Sequence, residues 1–129
     1  MGLQKHYIQT ATQLVATYNG AIPLHFFIKQ FFSQHKKYGS RDRKHITALC
    51  YYYYRLGKAL THLPPEQRLG VALFILSQKE NELLEAVNPS FNKHVHISIT
   101  EKIRFAGFEI TIGDIFPFSV YLSLSLIHI

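Results

Sequence analysis

With one cysteine in 129 residues, Cys50, the chain has no internal disulfide to staple it. It also lacks any apolar run near the roughly 20 residues that a membrane-spanning helix needs, although 47% of it is hydrophobic, so it reads as soluble. Met1 to Thr10 carries charged and polar residues where a secretion signal would be apolar, and the expected compartment is the cytoplasm. Metal ligation is equally thin. The eight histidines are scattered, and the one close pair, His94 and His96, has no cysteine or further histidine at ligand spacing, so solvated loop histidines are expected. A chain of this length fits one domain and can bury roughly two-thirds of the surface its unfolded form exposes, enough for a core without staples.

Acid is scarce in one particular place. Between Lys29 and Lys58 there is a single acid, Asp42, against eight cations (Lys29, Lys36, Lys37, Arg41, Arg43, Lys44, Arg55, Lys58), which makes that segment +7. The other six cations face seven acids, a remainder of −1, so the whole net charge of +6 is local. Such a patch favours phosphate backbones or anionic membranes. Nucleic acid is the expected partner, because a membrane-surface helix would hold bulky apolar residues on a free face, whereas the apolar stripe here is committed to a core.

The periodicity predicts helices for most of the chain. Leu3, Tyr7, Ala11, Leu14, Val15 and Tyr18 recur at helical spacing, and Asn19-Gly20 closes that helix. Pro23 at a first helical position opens a second, with Leu24, Phe27, Ile28, Phe31 and Phe32 on one face through about His35. Ser40 is the expected N-cap of a third helix, with Asp42 at the positive end of its dipole. On it Ile46, Leu49, Cys50, Tyr53, Gly57 and Leu60 form an inward stripe; Lys44, Ala48, Tyr51, Arg55 and Lys58 lie about half a turn away. Cys50 on the inward side is a structural thiol rather than a nucleophile. Arg43 and Asp42 fall at the stripe's edges, where they are expected to tie the second helix to the third or to cap it.

Pro64-Pro65 separates a fourth helix, Glu66 to about Ser77, apolar nearly all round and therefore central. Asn81 to Val87 reads as a short acidic fifth, stopped by Asn88-Pro89. Beyond it the alternation of Val95, Ile97 and Ile99 and the stretch Phe108 to Ile112 look extended, while the capping box Ser98-x-x-Glu101 favours a helix over Ile99 to Ala106. The expected fold is thus an all-α bundle of about five helices in residues 1–87, then a partly extended connecting segment, 88–123. The last six residues, Leu124 to Ile129, match a translation of the transposase mosaic-end adapter used in sequencing libraries, and 124–129 is expected to be adapter-derived. A native stop codon after Ile129 in genomic DNA would end that expectation.

Pro23-Leu24-His25 to Phe32, Lys37-Tyr38-Gly39-Ser40-Arg41-Asp42-Arg43-Lys44 and Tyr53-Tyr54-Arg55-Leu56-Gly57 together resemble the N-terminal NusB-like domain of RsmB-type (Sun/Fmu) ribosomal RNA cytosine 5-methyltransferases. The shared pattern is a helix opening on Asp-Arg, here Asp42-Arg43, and reaching an arginine a dozen residues later, here Arg55. Asp114-Ile115-Phe116-Pro117 is similar to the segment leading out of that domain in the Bacteroidetes branch. The resemblance implies a small helical RNA-binding fold and a parent enzyme that transfers a methyl group from S-adenosylmethionine to cytosine through a covalent cysteine adduct. Yet this chain has neither the Gly-rich strand-to-helix loop nor the Pro-Cys motif of the catalytic half, so no cofactor is expected in it.

The expected function is an RNA-binding fragment of such a methyltransferase, with ribosomal RNA as partner. Lys36, Lys37, Arg41, Arg43, Lys44, Arg55 and Lys58 are the candidate phosphate contacts, and Tyr51, with Tyr38, is a candidate for stacking on unpaired bases. The alternatives are a stand-alone NusB-like antitermination or ribosome-assembly factor, and a helical scaffold whose basic face is incidental. A stand-alone factor should end on a capped helix, and the extended-looking tail from Phe108 argues against it.

Overall fold

The computed structural model describes residues 2–57 and 59–107, and these are all-helical. Lys58 and everything from residue 108 onward, including the Phe108 to Ile112 stretch, the Asp114 to Pro117 motif and the adapter-like end, lie outside the described residues. In order the helices are α1 (Gly2–Thr17), α2 (Leu24–Gln34), α3 (Ser40–Arg55), α4 (Pro65–Leu76), α5 (Glu82–Val87), α6 (Pro89–Lys93) and α7 (Ile99–Ala106).

Each boundary has a local cause. Pro23 sits one place outside α2 as its N-cap rather than inside it. At α3 the cap is Gly39, not Ser40: the Asp42 carboxylate at the third helical position reaches back to accept from the Gly39 N–H at 3.2 Å, which starts the helix one residue early. The helix also ends early, at Arg55. Gly57 takes a left-handed φ of 61° and Leu60 one of 58°, so the apolar spacing of Leu56 and Leu60 continues through a turn instead of a helix.

α4 is central, with every residue from Arg68 to Ile75 buried. α1 packs on α3, α4 and α5, α3 packs on α4, and α7 lies along α4. The main core gathers Tyr7, Ala11, Leu14, Leu24, Ile28, Ile46, Leu49, Cys50, Leu69, Leu73 and Phe74. A second cluster, with Leu56, Leu60, Val71, Ala72, Ile75 and Ile103, meets the first through Tyr52 and Phe91.

The region after Val87 departs from its sequence pattern. Asn88 ends α5 and at once caps α6, its side chain accepting from the Phe91 N–H at 3.2 Å, and Pro89 holds the first position, so the expected stop is also a start. The alternating Val95, Ile97 and Ile99 do not form a strand: Val95 is buried in the main core, Ile97 packs against it, and exposed Ile99 opens α7 behind the Ser98–Glu101 capping box. Residues 88–107 therefore belong to the helical unit, held by Ile103, by Phe91 stacked on Phe74 (centroids 4.3 Å apart) and by Lys102, whose ammonium donates to the Ser77 carbonyl.

Candidate nucleic-acid interface

Helices α2 and α3 meet at a short turn, and this turn carries the charge. Lys36 and Lys37 within it, and Arg41, Arg43 and Lys44 in the opening turns of α3, are all exposed, as is Lys29 on α2. They stay exposed because the turn is anchored by other residues. Tyr38, between the lysines and Gly39, is buried at 9% exposure; its ring meets Phe31 and Phe32, and its hydroxyl lies 3.3 Å from that of Thr10 on α1. The Lys37 ammonium sits 5.3 Å from the Tyr38 ring centre.

Tyr38 thus locks the turn and, buried, is not the platform for unpaired bases that was expected of it. Its amphipathic ring has a buried hydroxyl partner, which makes the inward position the stable one.

Asp42 is the second anchor. It accepts one hydrogen bond from the Tyr7 hydroxyl of α1 and another from the Gly39 N–H. The Tyr7 bond, then the Gly39 bond, hold its carboxyl below the usual carboxylate range, while the same contact raises the Tyr7 phenol. Asp42 therefore ties α3 to α1, not to α2. Arg43 beside it is exposed, and among the described residues no carboxylate forms an ion pair with it.

Farther along α3 the outward stripe changes character. Lys44 is exposed, Ala48 and Thr47 are half-buried, and Tyr51 and Arg55 are half-buried and engaged with other groups. Ser40, Arg43, Lys44, Thr47, Ala48 and Tyr51 line an open trough of about 410 Å³ on this face. Ser40 and Thr47 were not among the sequence candidates, although their spacing from Lys44 puts them on its side of the helix. The structure gathers Lys36, Lys37, Arg41, Arg43 and Lys44 at one end of α3; Arg55 stands at the other, and Lys58 is outside the described residues.

One buried cation, Arg68, lies outside the basic segment. Arg68 on α4 is 4% exposed; its Nε donates to the Ala59 carbonyl at 2.8 Å, its Nη2 to the Gly57 carbonyl at 2.7 Å, and it lies 4.6 Å from the Tyr53 ring centre. It is a structural clamp on the turn that ends α3.

Cys50 is fully buried and desolvation pushes its thiol up to about 12, the opposite of a nucleophile's requirement. No strand occurs among the described residues, so a strand-to-helix glycine turn of the kind that cradles S-adenosylmethionine is not among them. His94 Nδ1 donates to the Ser90 carbonyl at 2.9 Å and its ring stacks on Phe105, while His96 lies 3.6 Å from Glu80, so the pair faces separate partners. Among the described residues no helix is long and apolar enough to cross a membrane. No protein-family model matches this chain, and no curated protein or solved structure matches it significantly.

Proposed function

We propose that this chain is an RNA-binding helical domain that docks on ribosomal RNA through the α2–α3 turn and the outer face of α3. The observation that carries the reading is the exposure of Lys36, Lys37, Arg41, Arg43 and Lys44 together, beside a remainder of the molecule whose nine other cations are nearly balanced by eight acids. Cations placed this way neutralise phosphates and release counterions, so they supply affinity and orientation rather than sequence choice.

Following the resemblance, the domain serves a cytoplasmic S-adenosylmethionine-dependent rRNA cytosine 5-methyltransferase by positioning its substrate, the chemistry residing in a catalytic domain not represented among the described residues.

The test is binding of a ribosomal RNA fragment, followed by anisotropy across a salt series, for the native chain and for K37E/R41E/K44E. Each phosphate contact contributes roughly 0.7 to 0.9 to the slope of log affinity against log salt, so the triple variant should bind at least about tenfold more weakly at low salt and with a shallower slope. Unchanged affinity and slope in a variant that melts like the native protein would remove the proposal.

A further inference from the structure

We propose that the trough on the outer face of α3 takes the ribose-phosphate edge of base-paired RNA rather than unpaired bases; this rests on the RNA-binding reading above.

The argument begins with rings. Proteins that hold single strands do so by presenting aromatic faces on which successive bases stack. The trough offers one ring, that of Tyr51, too few for successive bases. Tyr38 is turned into the core, and Tyr51 is half-buried and packs against the core. The exposed large apolar residues among those described are Leu3, Phe26, Ile99 and Phe105, none of which lines the trough.

The floor of the trough is mostly apolar, and residues bearing hydroxyls and cations border it. Ser40, Arg43, Lys44, Thr47, Ala48 and Tyr51 step along one side of α3 at intervals of one, three and four residues, a track of roughly 16 Å at 1.5 Å per residue. A serine or threonine hydroxyl both donates and accepts, as a ribose 2′-hydroxyl does, and Arg or Lys beside it suits the neighbouring phosphate. Base-paired RNA is recognised largely by such 2′-hydroxyl and phosphate contacts across its wide minor groove. Ala48 keeps the track low in the middle, so a backbone can approach it. The one acid on this part of α3, Asp42, is turned toward Tyr7 of α1, which leaves cations on the side facing RNA.

The experiment uses the full chain and three probes of one sequence and one length, roughly 16 base pairs or nucleotides: duplex RNA, duplex DNA and single-stranded RNA. At about 0.1 M salt the RNA duplex should bind more tightly than either of the others. T47V keeps the shape and removes a hydroxyl; it should reduce the preference for RNA duplex over DNA duplex by about fivefold, the effect of one neutral hydrogen bond, with DNA affinity unchanged. S40A, at an exposed site, gives a second reading should T47V lower the melting temperature. K44A should weaken all three probes together. Tighter binding of the single strand, or an RNA-over-DNA preference untouched by both hydroxyl variants, overturns the proposal while leaving RNA binding in place. Failure of every probe to bind in a salt-dependent way removes the RNA reading itself.

Discussion

Helices α3 and α4 are consecutive and pack on one another, yet they direct their cations in opposite ways. On α4 all residues from Arg68 to Ile75 are buried, and its arginine is spent on two backbone carbonyls and a tyrosine ring inside the protein. On α3 the buried residues are Ile46, Leu49 and Cys50, and Arg41, Arg43 and Lys44 are left to solvent. Coverage decides between these uses. α4 is enclosed by α1, α3, α5 and α7, so any polar group on it must find a partner or bear the cost of desolvation. Among the described residues no helix covers the outer side of α3, and charge there stays available to a polyanion. Substitutions on α4 should therefore change stability, and substitutions on the open side of α3 should change binding.

The largest expected effect belongs to Arg68. It holds a turn in which Leu60 adopts a left-handed φ of 58°, a conformation that costs a non-glycine residue roughly 1 kcal/mol and persists only when its surroundings fix it. R68M keeps most of the apolar stem but strands the Gly57 and Ala59 carbonyls. With hydrogen bonds from charged donors worth roughly 1.5 to 3 kcal/mol each, the loss should be about 3 kcal/mol in denaturant unfolding. RNA affinity of the folded protein should stay within twofold or so, since the side chain is 4% exposed. A loss below about 1 kcal/mol would place the clamp elsewhere.

A smaller effect is expected at Gly70, and it tests how tightly α4 is enclosed. A Cβ built there would lie 2.7 Å from Val87 Cγ1 on α5, too close for any pair of carbons. G70A gains about 1 kcal/mol of helix propensity but meets an overpacking cost of roughly 1 to 3 kcal/mol, so the net change should be a loss of about 1 kcal/mol. In a V87A background the clash is gone and the same G70A change should stabilise. Equal effects in both backgrounds would mean that α5 yields freely and that α4 is less confined than its burial indicates.

The contrast between these helices explains which parts of the molecule were legible in sequence. The stripe of Ile46, Leu49 and Cys50 and the all-round apolarity of α4 come directly from spacing, because burial of carbon is what helical periodicity records. Arg68 and Lys102 were not legible as core residues. A cation in a helical pattern reads as solvated, and only the carbonyls of Gly57, Ala59 and Ser77, brought close by tertiary packing, make burial tolerable. Tyr38 was misplaced for the converse reason, since its neighbours are hydrophilic while its partners Thr10, Phe31 and Phe32 come from α1 and α2. The end of α3 was overextended because Leu56 and Leu60 keep the apolar rhythm through a turn. Of the candidate interface, the cluster of cations was legible; the hydroxyls of Ser40 and Thr47 were not, because neither charge nor hydropathy marks them.

The smallest effect expected concerns Asp42, which stands at the boundary between the buried and open sides of α3 and should disclose itself through pH. Its carboxyl is held below its ordinary value of 3.8 by the Tyr7 hydroxyl first and the Gly39 N–H second, with His6 and Arg41 adding attraction. A carboxylate depressed in the folded state adds stability above its unfolded value, and that contribution fades as pH falls through the folded one. The stability difference between the native chain and D42N should thus be constant from neutral pH down to about 4, then shrink with further acidification. Y7F should reproduce most of this behaviour, because it removes the contact with the larger influence on the carboxyl. Thermal melts of the three proteins across that range decide it: a difference that stays flat below pH 4 would show that Asp42 acts as a neutral helix cap, and that the tie between α1 and α3 carries no ionic component.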